Sequence, residues 1–573
     1  MRVSRKGWRN WSRELECRPG RLYCDLPGGT HPSPRSLEDL QAIVRDALAL
    51  GVSVRAFGSS HSWAALCPVD GGFLVDNRMI GAVGDRYELS VTPPSADGTR
   101  KAVATCPPGL ISKEFEDWLW DMGYTLPSSA FEDCFTMGGM AATATHGVGI
   151  DIPTLSDMVV GVTFIDGLGE VRHWNRETAT PDELAAAQCS LGCLGLVYSY
   201  SFEVEPRYEV ISDAFVLPYD SLFADTDEAR KRLRELHESY ATVEIFWWPY
   251  VFSKLPFFSK FAVNPELWIL TTRRLTTETE KLRPRSRLHK WLLFNVLDLP
   301  MMIFGGYFTR FLVRHRALVC LLPLSTAFTR AWVNRRRGPQ RLPQYDANHL
   351  VNAAGVEWVL CQAIEWNMPF RPAAADDESD GFERVRKAFA TLRTMVEEAL
   401  EQYVWHDPRA TPVTVAIEMR TLAASSALLS PGYQPPETRQ HVRYAAPEVV
   451  TAARHPAWEA FAHEANIRFT TDRASFGNQV RPHLAKEARD YPHPEFGSGG
   501  MTDYMRAQYI AAGTWQRFLA VREAVDPEGV FLNPFLREWF YGEEQRVALS
   551  DIQNQVHGFQ QQNGKDRSDV LVS

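Results

Sequence analysis

Three clusters in this sequence carry side chains able to do chemistry. The first is Gly58-Ser59-Ser60-His61-Ser62, small and polar residues around one histidine, directly after a β-rich run from Val52 to Phe57. A strand that ends in a Gly/Ser turn presents several backbone N–H groups at once, and such a concave nest binds anionic oxygen. His61 is the nucleophilic side chain of that turn. The turn alone leaves open whether it sits on a ligand-binding loop or on the surface. The second cluster is Glu418 and Arg420 in VTVAIEMRTL (413–422), two apart in a predicted strand and therefore on one face. A bare surface ion pair would show the same spacing and contribute little. The third is NQVRPHLAKEA (478–488), which places Pro482, His483 and Lys486 close together.

The elements that must position these residues are legible around them. Ser36 and Asp39 form a capping box at the start of SLEDLQAIVRDALALG, where Leu37, Leu40, Ile43, Val44, Ala47 and Leu48 share one helix face and Gly51 closes the helix. The βα pattern just before the histidine turn is a weak phosphate-site signal by itself. Two further segments strengthen it. Residues 124–149 concentrate Gly138, Gly139, Ala141, Ala142, Ala144 and Gly147, leaving room for a flat ligand to approach the backbone. A tightly packed crossing of elements would also use such residues. In SLGCLGLVYSYSFEVEP (190–206), Gly192 and Gly195 precede an alternating strand that ends at Pro206. Three Gly-rich turns bounded by strands fit a domain that wraps a large, elongated cofactor. They do not fit the nicotinamide fingerprint, because no GxGxxG follows a strand and opens a helix.

Beyond Pro206, EIFWWPYVF (244–252), ELWILTTRRL (266–275), GVEWVLCQAIEWNMPF (355–370) and the 413–422 segment read as strands, with an amphipathic helix at 381–403. VREAVDPEGVFLNPFLREWF (521–540) reads as the last folded piece, and the polar chain after about 545 is expected to fray. Between Lys281 and Arg341 stand thirteen Lys or Arg against the single acid Asp298, in a chain whose net charge is −9. WLLF, MMIF, FLV and ALVCLLPL interleave these charges, and none of them approaches the roughly 18 apolar residues of a membrane span. Basic clusters around short apolar runs suggest helices lying in an anionic membrane interface rather than nucleic-acid binding. An ordinary helical hairpin with solvated charges is the alternative. With 573 residues, 45% hydrophobic and 23% charged, the chain is globular and too long for one core. Its nine scattered cysteines, without a CxxC pair, indicate reduced thiols, and the basic, polar start shows no secretory h-region.

Taken together, GSSHS after a strand, the Gly-rich segment ending in ATHG, and SLGCLG before a strand resemble the FAD domain of the vanillyl-alcohol-oxidase superfamily. The pieces NWS (10–12), FWWPY (246–250), EMR (418–420), LLSPGYQ (428–434), RPHLAK (481–486) and DPEGVFLNPFL (526–536) resemble its sugar-lactone branch, the L-gulono-1,4-lactone and D-arabinono-1,4-lactone oxidases, with alditol oxidase as a cousin. The resemblance runs from about residue 8 to 542 and implies an α+β fold. Residues 1–206 would be a PCMH-type FAD-binding domain and 207–480 an antiparallel-sheet cap domain carrying the basic insertion 281–341. Residues 481–545 would return to complete the active site, and 546–573 would be a tail. The insertion is similar to one in the animal gulonolactone oxidases, which are microsomal. The expected location is therefore peripheral to a membrane, facing a reducing compartment.

The resemblance also implies residue roles. His61 would carry FAD through a bond to the isoalloxazine 8α carbon; the family usually has Gly before that histidine, where this chain has Ser60. Phe57, Gly58, Ser59, Ser60, His61 and Ser62 would wrap the pyrophosphate, with Thr136, Gly139, Thr143, Thr145 and His146. Leu196 and Val197 would flank the adenine, and His483 would approach the flavin. Lys486 and Arg420 match the cationic positions of the alditol-oxidase pattern, and Glu418 matches its substrate-orienting carboxylate. The implied reaction passes a carbinol hydride to the flavin, with O2 or another acceptor reoxidising it. Phe131 stands where alditol oxidase has a serine, which leans toward a lactone or a more apolar substrate such as a sterol. Ala130 stands where family oxidases often have Gly and a plant dehydrogenase relative has Ala, which bears on the choice between oxidase and dehydrogenase. A redox-inactive binding protein is the reading of a different class.

Overall fold

The computed structural model describes residues 2–4, 7–84, 86–252, 261–275, 299–315, 338–349, 360–372, 381–404, 407–486, 489–497 and 500–542, with single positions between 316 and 337. Most of the basic insertion and the expected tail after 545 therefore lie outside the described residues.

The N-terminal helix runs Leu37–Leu50 with the expected reciprocal cap between Ser36 and Asp39, and Gly51 ends it at φ 62. Its Leu40, Ile43, Val44 and Ala47 are buried against Val54, Phe73 and Val75 of a parallel three-stranded sheet, ordered Arg21–Tyr23, Phe73–Asp76, Val54–Phe57. An antiparallel sheet lies beside it, ordered Val171–Asn175, Val159–Ile165, Leu196–Pro206, Ala102–Cys106, Ser90–Thr92. The chain's last folded segment packs into the first core through Val530 and Phe531. The Val54 N–H donates to the Val530 carbonyl at 2.8 Å, and Ser53 Oγ donates to the Leu532 carbonyl at 2.9 Å. The fully buried Arg55 donates to the carbonyls of Leu66, Leu191, Gly192 and Phe531, fastening the histidine turn's strand to the 190–192 turn and to the C-terminal segment.

Between Pro206 and Glu209 the chain passes into an eight-stranded antiparallel sheet. Its order is Gln340–Pro343, Glu209–Pro218, Glu266–Arg274, Thr242–Trp247, Ala416–Ala423, Arg443–Ala452, Cys361–Phe370, Arg481–Pro482. The twofold alternation of a strand gives this sheet two different faces. Ile245, Trp247, Ile417, Val449 and Ile364 belong to the main core, which they share with Phe389 and Leu392 of the helix Gly381–Gln402. The register brings Phe246, Glu418, Glu448 and Glu365 into one row across four strands on the opposite face. Like charges directly opposite one another repel, so a row of three carboxylates requires cations beside it.

Candidate active site

Both halves of the molecule line one cavity of about 420 Å³. Every residue that the resemblance assigns to cofactor binding lines it: Phe57 to Ser62, Thr136, Gly139, Thr143, Thr145, His146, Leu196, Val197 and His483. Glu418, Arg420 and Lys486 line it as well, together with Gly306, Thr309 and Arg310 from the insertion's helix Leu299–Arg314.

The turns that form the first wall hold unusual backbone. Ser60, Ala144 and Leu191, one in each of the three small-residue segments, adopt φ of 60, 54 and 52. Left-handed conformation disfavours residues with a Cβ, and strain of this kind clusters at functional sites. At Ser60 it accounts for the family's preference for Gly. The turn is otherwise well held: Trp11 N–H donates to the Ser60 carbonyl at 3.0 Å, Ser59 Oγ to the Cys134 carbonyl at 2.6 Å, and Asn10 Nδ2 to the Ser62 carbonyl at 3.2 Å. The His61 ring stacks on Trp11, with centroids 5.0 Å apart, and meets the edge of Phe135. Its Nε2 lies 3.8 Å from Cys134 Sγ, while Nδ1 is buried without a hydrogen-bond partner. Burial pushes the imidazole down to about 3, which keeps it neutral. His61 is neutral and lines the cavity, and its Nδ1 makes no hydrogen bond, the state in which an imidazole nitrogen can bond a flavin carbon; on that observation the residues fit FAD.

The opposite wall is a network of buried charge. Arg420 bonds Glu418, Glu244 (2.8 Å) and Glu448 (3.1 Å). Lys486 Nζ lies 2.5 Å from Glu448 and 2.9 Å from Glu365, whose other oxygen lies 2.9 Å from His146 Nε2. The Glu418–Arg420 pair is thus enclosed, and His146 is hydrogen-bonded while His483 keeps an unpartnered Nδ1. Burial works against the Lys486 ammonium, but Glu365 and Glu448 overcome it and hold its proton above the usual lysine range. Burial likewise opposes ionised Glu365, yet His146 and Lys486 keep its carboxyl well below the ordinary range. Burial raises Glu418 to about 8 despite Arg420. Glu365, Glu448, Glu244 and Arg55 escaped sequence reasoning. A lone acid inside an apolar strand, as in CQAIEWNMPF or RYAAPEVVTA, is the signal that could have found the first two, since buried charge must be paired.

Residues 33–175 match the family described as FAD binding domain, and residues 379–539 the family described as D-arabinono-1,4-lactone oxidase. A D-arabinono-1,4-lactone oxidase of Eremothecium gossypii is 27% identical over 244 residues, 43% of this chain and 41% of that one. The chain thus spans about two-fifths of the length of the first curated relatives it matches. The L-gulonolactone oxidase of Bos taurus is 22% identical over 535 residues, 93% of this chain and 98% of that one. Among solved structures, cholesterol oxidase from B. sterolicum superposes with a TM-score of 0.70 at 15% identity, covering 93% of this chain and 96% of that one. Fold and matches define an FAD-binding domain of the PCMH type joined to an antiparallel-sheet cap. Two segments of the chain are thus similar to an FAD binding domain and to the D-arabinono-1,4-lactone oxidase family, and the whole chain is similar to L-gulonolactone oxidase.

Proposed function

We propose that this protein oxidises a carbinol of a sugar-1,4-lactone, with O2 or another acceptor as the terminal oxidant. The observation that carries this reading is the pair of enclosed cations, buried Arg420 and largely buried Lys486, lining the same cavity as His61, whose Nδ1 is unpartnered. FAD, when bound, supplies the two-electron acceptor for the hydride. The protein's part is positional and electrostatic. Lys486 and Arg420 offset the negative charge that grows on the carbinol oxygen as its proton leaves, and Glu418 accepts substrate hydroxyl hydrogen bonds while holding Arg420. Phe57 to Ser62 with the 136–146 segment would hold the pyrophosphate, and Leu196 and Val197 the adenine. The buried Ala130 methyl bears on access of O2 to the ring. Profiling L-gulono-1,4-lactone, D-arabinono-1,4-lactone, xylitol and cholesterol, with O2 uptake compared against a dye acceptor, tests substrate and acceptor together.

A second reading, a bulky apolar alcohol, is favoured by one feature. Phe131, Phe246, Trp248 and Trp268 pack as an aromatic cluster that lines the cavity beside Arg420, whose guanidinium lies 5.6 Å from the Phe131 ring centre.

We infer further that the flavin is held covalently and that the insertion meets a membrane surface. His61 bears the flavin covalently through Nδ1: in the tautomer protonated on Nε2, toward Cys134, the Nδ1 lone pair is free for the bond. Acid precipitation checks this, with yellow expected in the wild-type pellet and in the supernatant of His61→Ala. The 281–341 insertion attaches the protein to an anionic membrane surface on a reducing side. Tyr307 and Phe311, one turn apart on its helix, are 51% and 48% exposed, and the cysteines of the described residues are free thiols. No helix among the described residues is long and apolar enough to cross a membrane.

A further inference from the structure

Oxidising a carbinol requires a group that removes the hydroxyl proton, and most of the charged side chains around the cavity are already committed. Glu244, Glu418 and Glu448 share Arg420, and Glu365 and Glu448 share Lys486. Both cations hold their protons above the usual ranges against burial, because these carboxylates surround them, so neither serves as a base. His146 is bonded to Glu365, and its Nδ1 contacts the Gly147 carbonyl. His483 lines the cavity and its buried Nδ1 is unpartnered, but burial lowers it to about 4, making it a weak base.

Glu132 is different. It follows Phe131 in the wall between the aromatic cluster and the cations, is partly buried, and lines the same cavity. Among the described residues its side chain makes no ion pair and no hydrogen bond to another side chain. Arg420, Lys486 and Glu448 are the charges that act on it, and the thiols of Cys134 and Cys361 sense its charge in turn.

We propose that Glu132 is the catalytic base, taking the hydroxyl proton of the substrate on its carboxylate. The proposal rests on the carbinol-oxidation reading above. The O–H bond breaks and its proton passes to Glu132; the C–H pair leaves as hydride, for which FAD, when bound, would be the two-electron acceptor, and the carbinol becomes a carbonyl. Burial raises the Glu132 carboxyl to about 7, opposed by Arg420, which suits a base working near neutral pH. Lys486 and Arg420 then act on the oxygen while Glu132 acts on its proton, so the two kinds of group do not compete for one atom.

The test compares wild type, Glu132→Gln and Glu132→Asp as holoproteins. In anaerobic stopped flow with L-gulono-1,4-lactone, D-arabinono-1,4-lactone, xylitol and cholesterol, Glu132→Gln should slow flavin reduction by about 10²–10⁴-fold at unchanged flavin content. The wild-type rate should rise with pH through about 7 and that rise should vanish in Glu132→Gln, while Glu132→Asp recovers part of the rate. Glu418, raised to about 8 by burial, should leave a second limb in both proteins. Independently of turnover, infrared difference spectra of wild type minus Glu132→Gln should show a carboxyl C=O band that disappears as pH rises through about 7. Reduction of Glu132→Gln at the wild-type rate and pH profile, or a missing difference band, overturns the proposal and leaves the oxidation reading standing. A wild type reduced by none of the four alcohols overturns both.

Discussion

At the scale of single residues, the site depends on how carboxylates and cations are matched in a dry wall. Lys486 touches Glu365 and Glu448 from one side, and Arg420 touches Glu244, Glu418 and Glu448 from the other. Replacing Lys486 with Met should leave the flavin bound and slow its reduction by about 10²–10³-fold, as loss of one preorganised electrostatic partner does; anaerobic stopped flow reads the rate. Ser60 carries a second expectation. Its left-handed φ of 60 strains a residue with a Cβ by about 1–2 kcal/mol. Ser60→Gly relieves that strain against the roughly 0.5–1 kcal/mol of extra unfolded-state freedom that glycine brings. A net gain of about 0.5 kcal/mol should appear in chemical denaturation with flavin content unchanged. His61, Ser60, Glu418, Arg420 and Lys486 were all legible as residue types in short motifs. Glu365, Glu448 and Glu132 were not, because an isolated Glu in a strand or turn does not reveal which residue stands opposite it. Only the pairing register aligns Glu418, Glu448 and Glu365.

At the scale of elements, the helix Leu37–Leu50, its caps and its buried face followed from local pattern alone, since capping and amphipathicity act within a few residues. The cap-domain strands also read well from their β-branched and aromatic runs. Long-range ties did not. Arg55 sits in the strand before the histidine turn and donates to four carbonyls, two of them in the 190–192 turn and one in the C-terminal segment. Arg55→Met should cost on the order of 4 kcal/mol at about 1 per lost hydrogen bond, and should weaken FAD retention by loosening two cavity walls; denaturation and flavin-release assays measure both. The composition of the basic insertion suggests a membrane element, and its helix Leu299–Arg314 also contributes Gly306, Thr309 and Arg310 to the cavity wall. Periodicity within the insertion carries no information about that contact. Phe311→Asp should reduce cosedimentation with anionic vesicles while leaving flavin content intact.

For the whole molecule, the fold serves to bring residues from positions 57 to 62 and 418 to 486 to one cavity, with the C-terminal segment sealing the FAD-side core. The order of motifs along the chain made that architecture readable as an α+β flavoprotein, while its strand order and charge pairing emerge only when the chain is closed. The concentration of acids also makes stability depend on pH. Glu418, raised to about 8 by burial, is protonated in the folded state over a range where the unfolded side chain is ionised. A raised carboxyl contributes stability that is fully present below its unfolded value and is lost as pH rises through the folded one. Thermal stability should therefore fall as pH rises from about 5 toward 8, and Glu418→Gln should flatten that slope. The central claim is that the two walls work together on a sugar-1,4-lactone. Anaerobic mixing of the purified yellow protein with L-gulono-1,4-lactone or D-arabinono-1,4-lactone tests it most directly. Rapid bleaching of the flavin absorbance by at least one lactone, and slow bleaching in Lys486→Met, is the expected result. An oxidised flavin that persists with both lactones while another alcohol bleaches it would contradict the claim.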